Sequence, residues 1–233
     1  MAPGNLLEPH NAPMSALNEM LSAPTDDDVI LYHQVWRALR MGAESPARSP
    51  LPSNVALLIT AFCNWVLPDR VLDEESIISC YSRDSRKAEK RWFTSAPLTN
   101  EDVARIAAIQ LETVAKDQGW ASLPGTASYS WFEVGLERPE GDLERDVRWT
   151  SHTNELRGQW PTMRSGLPHP APVEEWREGD IVSVWVCAQY PAWSNTGKTG
   201  KLRFFKWFKP ASAVEDQIAS ELYAKDKGVI ESR

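Results

Sequence analysis

Two periodicities divide the chain. Between residues 26 and 66 apolar side chains recur three and four positions apart: Ile30, Leu31, Val35 and Leu39 in one run, then Val55, Leu58, Ile59, Phe62 and Val66 in a second. That spacing places side chains on one face of a helix. The first run opens on Thr25, three residues before Asp28, a capping-box pattern, and closes on Gly42, a residue suited to a helix C-terminus. Ile77, Ile78 and Tyr81 follow, ahead of the charged RDSRKAEKR, and the whole of 26–96 is expected to be a helical segment. Residues 1–25, with Pro3, Pro9, Pro13 and Pro24 and few large apolar groups, are expected to be a flexible tail.

After Pro97 the period becomes two. Thr99 and Asp102 signal a short helix, and Ile109, Leu111 and Thr113 then alternate with Gln110 and Glu112. Phe132, Val134 and Leu136 oppose Tyr129, Trp131 and Glu133, and Val147, Trp149 and Ser151 oppose Arg148, Thr150 and His152. Val182, Val184, Val186 and Ala188 form another apolar row, and Leu202, Phe204, Lys206 and Phe208 oppose Arg203, Phe205 and Trp207. Strands parted by Pro- and Gly-rich loops, with no helix-period crossovers, predict an antiparallel pairing rather than a parallel α/β sheet. At the C-terminus, Ser212 and Glu215 have capping-box spacing, Val214, Ile218 and Leu222 share a face, and Gly228 marks the end. The predicted class is α+β, mainly β: a jelly-roll-like antiparallel β-sandwich over 97–210, with an N-terminal helical segment and a C-terminal helix in 211–233.

Composition narrows the function. A chain of 233 residues with formal charge −7 and 42% hydrophobic residues is neither disordered nor strongly basic, so no global attraction for nucleic acid is expected. Locally, Lys198, Lys201, Arg203, Lys206 and Lys209 interleave with Phe204, Phe205, Trp207 and Phe208; a final strand with a charged outer face is favoured there over base stacking. Cys63, Cys80 and Cys187 are widely spaced without a CxxC pair, so neither a disulfide framework nor a zinc site is expected, and no metal or cofactor. With no apolar run of about 18 residues and no basic, apolar leader, the expected location is cytoplasmic or nuclear, without a membrane partner.

Tryptophan is in excess, eleven against five Tyr and six Phe. Ala192–Thr199 fits a permissive P-loop pattern, but an aromatic strand-like run follows where a helix should, so its glycine is assigned to a hairpin turn. Asp117-Gln118-Gly119-Trp120 offers a carboxylate, an amide and an indole platform in a turn, as polar ligands require; Asp117 equally suits turn amides. Glu133 and His152 are the acid–base candidates beside Asp117. Trp193 and Asn195 occupy a second turn-like, polar setting.

Five stretches, LPSNVALLITAF (51–62), KDQGWAS (116–122), SYSWFEVGL (128–136), HTNELRGQW (152–160) and EGDIVSVWVCAQYPAW (178–193), together resemble an uncharacterised fungal family. In that family an F-box-like helix precedes an F-box-associated, galactose-binding-like jelly roll. The resemblance implies protein or glycan binding on loops at one end of the sandwich. This chain departs from the group at Ala192, where the group carries glycine, and in its extension KTGKLRFFKWFK. The leading expectation is a non-enzymatic intracellular module that binds a protein or glycan through Asp117, Gln118, Trp120, Glu133, His152, Trp193 and Asn195. Two alternatives stand: a substrate receptor of a ubiquitin ligase whose residues 51–93 dock an adaptor, and a small-molecule enzyme using Asp117, Glu133 or His152.

Overall fold

The local helix signals produce helices where caps mark them. Thr25 and Asp28 close a reciprocal capping box on α1 (Asp26–Met41), and Gly42 ends it at φ 71. α2 (Ser53–Phe62) follows after Pro52. The computed structural model describes residues 24–43, 48–119, 128–138, 147–156, 160–164 and 176–231, so residues 1–23 of the tail expected at 1–25 and Trp120 lie outside the described residues. The elements after α2 are β1 (Val66–Glu74), β2 (Ile78–Tyr81), β3 (Ala88–Thr94), α3 (Asn100–Arg105), β4 (Ile106–Asp117), β5 (Ser130–Glu137), β6 (Val147–Thr153), β7 (Thr162–Arg164), β8 (Ile181–Ala188), β9 (Ser194–Trp207) and α4 (Ser212–Glu231).

The strands form two antiparallel sheets, one five-stranded (β1-β9-β4-β7, with β2 also on β9) and one four-stranded (β3-β8-β5-β6). The fold is thus α+β, mainly β, an antiparallel sandwich. Its core lies between the sheets, where the expected rows meet: Ile109 and Leu111 of β4, Phe132, Val134 and Leu136 of β5, Val182, Val184 and Val186 of β8, and Leu202 and Phe204 of β9. A second core joins the two ends of the chain. Trp36, Ala56, Phe208 and Ile218 are buried together where α1, α2 and α4 cover the end of β9, with Tyr32 stacked on Trp65 at 4.5 Å. Among the described residues no helix is long and apolar enough to cross a membrane.

Four expectations are corrected. Residues 66–94 are not helical; they supply β1, β2 and β3 and contribute to both sheets. Their alternation is hidden because β1 is an edge strand with a bulge between Pro68 and Val71, and a proline is tolerated at an edge. α2 stops at Phe62, and its expected core face points outward, Phe62 being 80% exposed and Leu58 58%; Ala56 and Thr60 are the buried positions. The Gly-rich stretch is not the hairpin turn. Gly197 lies inside β9, where a Cβ would stand 2.6 Å from the Trp92 ring, so only glycine lets that indole cross the strand. Ser212 is the first residue of α4 and not a cap before it, Glu215 accepts from the Ser53 hydroxyl of α2 at 3.0 Å, and α4 runs past Gly228 to Glu231.

Candidate functional site: the aromatic end of the sandwich

The connection between β8 and β9 is a tight, strained turn. Tyr190 and Ala192 have φ of 72° and 70°, a region L-residues seldom adopt. The turn is held on both sides. The Ala192 N–H donates to the Ser82 carbonyl at 3.1 Å, the Ser82 N–H to the Trp193 carbonyl at 2.9 Å, and the Gln189 N–H to the Tyr129 carbonyl at 3.0 Å. Ala192→Gly is expected to raise stability by about 0.5–1 kcal/mol, because relief of the left-handed strain exceeds the added freedom of the unfolded chain. A rise in the urea midpoint at constant m-value is the check.

This turn gathers three aromatic rings from two segments. Tyr190 meets Tyr129 edge-on at 4.6 Å, and Trp193 meets Tyr129 edge-on at 5.2 Å. Tyr129 and Tyr190 are each 39% exposed, whereas Trp193 is half-buried and also packs on the sandwich core. Of the residues singled out in the sequence only Trp193 belongs to this cluster. Tyr129 and Tyr190 are additions from the structure, since they come together only across two distant segments.

Asp117 and Gln118 end β4 close by. Asp117 is buried, lies opposite Asn195 in the β4–β9 register, and accepts from the Gly119 N–H at 2.9 Å, the turn-amide role. Gln118 is half-buried. Asn195 has no exposed surface, and its amide joins the two sheets. It donates from Nδ2 to the carbonyls of Trp131 at 2.8 Å and Cys187 at 3.2 Å, and accepts at Oδ1 from Asn154 at 2.7 Å. Asn154 Nδ2 also donates to the Ser130 hydroxyl at 3.1 Å. The ligand-binding role expected of Asn195 is thus replaced by a bridging one, since its hydrogen-bonding capacity is spent inside the fold.

Glu133 and His152 face opposite ways. Glu133 stands on the outer face of the four-stranded sheet, where Oε2 pairs with Lys87 Nζ at 2.7 Å and Oε1 accepts from Trp131 Nε1 at 2.8 Å. Lys87 also pairs with Glu89 at 2.7 Å. Burial works against its charge, but the hydrogen bonds to Glu133 and Glu89 prevail and raise its pKa. Glu89, Glu133 and Cys187 place ligand atoms within 4.8 Å of one another, a set able to hold a metal ion. The Lys87 ammonium already supplies the positive charge those carboxylates need, and burial followed by the charge of Glu133 pushes the Cys187 thiol up, away from its ligating thiolate form.

His152 was assigned to the face of Arg148 and Thr150. A bulge at Ser151, visible as the register shift between Phe132 and Glu133, turns it inward instead. Its ring lies 5.1 Å from Phe132, with Nε2 bonded to the Thr113 hydroxyl at 2.8 Å and Nδ1 to that of Ser151 at 2.9 Å. Burial lowers its pKa to about 4, so the ring is neutral near pH 7. Asp117 lies four residues, about 13 Å, along β4 from the Thr113 partner of His152. The three acid–base candidates therefore do not converge on one reacting atom.

No described protein family and no curated protein matches the sequence. Among solved structures, the chain is similar to TmCBM61 in complex with β-1,4-galactotriose, with 9% identity over 63% of this chain and 88% of that one and a TM-score of 0.24.

Proposed function

We propose that the protein is a non-enzymatic binding module that holds a glycan on the aromatic end of its sandwich, against Tyr129, Tyr190 and Trp193. The observation that carries this reading is Tyr190, a bulky residue kept at positive φ with its ring half-exposed against Tyr129. Backbone strain of this kind persists where surrounding contacts impose it, and it concentrates at ligand clamps. Phenol and indole rings offer an apolar face to the C–H side of a sugar and a polar edge to its hydroxyls. Among the described residues the acid–base candidates of an enzymatic reading, Asp117, Glu133 and His152, do not converge. The ligase-receptor alternative retains α2 as its support, with Leu58 and Phe62 exposed, because the rest of the expected docking segment is strand.

The test is a glycan array on the full chain, followed by fluorescence titration of the hits. Tyr190→Ala removes the exposed ring while keeping an L side chain at the same positive φ, so it is expected to weaken binding about tenfold or more with little change in thermal stability. Trp185→Phe, on the outer face of the four-stranded sheet under the Arg148 guanidinium, should bind as the wild type does. A blank array, or affinity unchanged in Tyr190→Ala, overturns the reading.

A further inference from the structure

The connection from β2 to β3 crosses from the five-stranded to the four-stranded sheet, and it does so beside the aromatic turn. Backbone bonds from Ser82 to Ala192 and Trp193 fix its start, and Gln189 Nε2 donates to the Ser85 carbonyl at 3.1 Å further along. The loop is also tied to itself. The buried Ser82 hydroxyl donates to the carbonyls of Asp84 at 2.9 Å and Arg86 at 3.0 Å, and the Arg86 N–H donates to Asp84 Oδ1 at 2.7 Å. Residues 82–86 are therefore a shaped wall next to Tyr190.

That wall carries two uncommitted cations. Arg83 and Arg86 are exposed, and among the described residues neither guanidinium has an ion pair or a hydrogen bond. Lys87, next along, is instead paired with Glu89 and Glu133. Continuing the β2–β9 register places Arg83 opposite Ala192, two residues from Tyr190. Among the described carboxylates at this end, Asp84 is held by the Arg86 N–H and Asp117 is buried on the Gly119 N–H. Glu155 follows Asn154 on the far side of β5 from the loop. The loop side of the aromatic rings is thus positive in a chain of formal charge −7.

We infer that the glycan held at the aromatic end is acidic, a sugar whose carboxylate or sulfate group meets Arg83 and Arg86 while its ring rests on Tyr190; this builds on the glycan reading above and names the class of sugar. A guanidinium presents a planar fork of N–H donors that matches two oxygens of either group, and both forks are free here. Exposed ion pairs are weak one at a time, so the rings supply most of the affinity and the arginines choose among sugars. A sugar with hydroxyls alone leaves both guanidinium groups in water at no cost, so neutral glycans are bound more weakly and not excluded.

The experiment is fluorescence titration of the full chain with matched pairs of glycans at low and high sodium chloride: oligogalacturonate against its methyl ester, and dextran sulfate against dextran. The charged member of at least one pair should bind about three- to tenfold more tightly at low salt, with the gap closing as salt rises. Which pair shows the gap tells carboxylate from sulfate. Arg83→Gln combined with Arg86→Gln should abolish the gap and leave the neutral member bound as before, whereas Tyr190→Ala should weaken both members. Arg91→Gln, paired with Glu137 at 2.7 Å, should leave the gap unchanged. Equal affinity within both pairs, array hits confined to neutral glycans, or a gap that survives the double arginine variant overturns the acidic assignment while glycan binding stands. Charged members bound equally well by Tyr190→Ala overturn it as polyanion adhesion alone. Absence of binding to both pairs and to the array removes the glycan reading itself, and the acidic assignment with it.

Discussion

Asn195→Ala is expected to lower stability by about 3–4 kcal/mol, seen as a drop in the urea midpoint with little change in m-value. The substitution removes three hydrogen bonds at a fully buried position: two donated to the Trp131 and Cys187 carbonyls and one accepted from Asn154. Three bonds at about 1 kcal/mol net each give about 3 kcal/mol, and the partners left unpaired in a dry interior add the remainder. The effect is large because the bonds run from β9 to β5 and β8, so the loss loosens one sheet from the other. Asn195→Asp should be worse still. It keeps the acceptor for Asn154 but sets a buried carboxylate against two carbonyl oxygens. A loss below about 1 kcal/mol for Asn195→Ala would remove the bridging role.

Stability should also fall steeply between about pH 6.5 and pH 4, and this window belongs to His152. The unfolded chain takes up the imidazole proton near the ordinary value of 6.5, whereas the folded protein resists it until about 4. The unfolded state binds more protons throughout that interval, so the stability that the neutral ring contributes is complete above it and is lost as the pH falls through it. A gap of that size corresponds to about 3 kcal/mol. Carboxylates held low act in a more acidic range. Burial pushes Asp102 up, but hydrogen bonds from Thr99, Arg70 and Lys206 prevail and hold it well below the usual carboxylate range, so its contribution is lost only below about pH 4. Urea unfolding of wild type and His152→Gln at pH 7, 5.5 and 4.5 separates the two. The difference in pH slope between them should account for most of the loss above pH 4.5, and parallel slopes would show that His152 does not titrate as a buried neutral ring.

Much of the architecture was legible because its causes are local. A cap such as Thr25 with Asp28 or Thr99 with Asp102 is written within four residues, and the alternation of β5, β8 and β9 is a property of each strand alone. β1 to β3 were illegible for a matching reason. β1 is an edge strand interrupted by a bulge, and the strand it pairs with lies near the far end of the chain, so no window of sequence shows both. The bulge at Ser151 shows the same limit on a smaller scale. One extra residue reverses every side chain beyond it, and His152 moves from an outer face to the space between the sheets without any change in the pattern that precedes it.

The sequence by itself determined that the chain is mainly β, which strands carry the core rows, and that helices begin at Thr25 and Thr99. Only the tertiary structure decided what the polar and aromatic residues at strand ends do. Asn195 and Asp117 carry the same groups whether they meet a ligand or the fold's own amides, and their roles follow from being buried against distant carbonyls and a turn. Tyr129, Tyr190 and Trp193 become a cluster because antiparallel pairing brings distant segments side by side. Periodicity records how a strand meets its core, whereas a site depends on which strands become neighbours, and that is set by long-range packing.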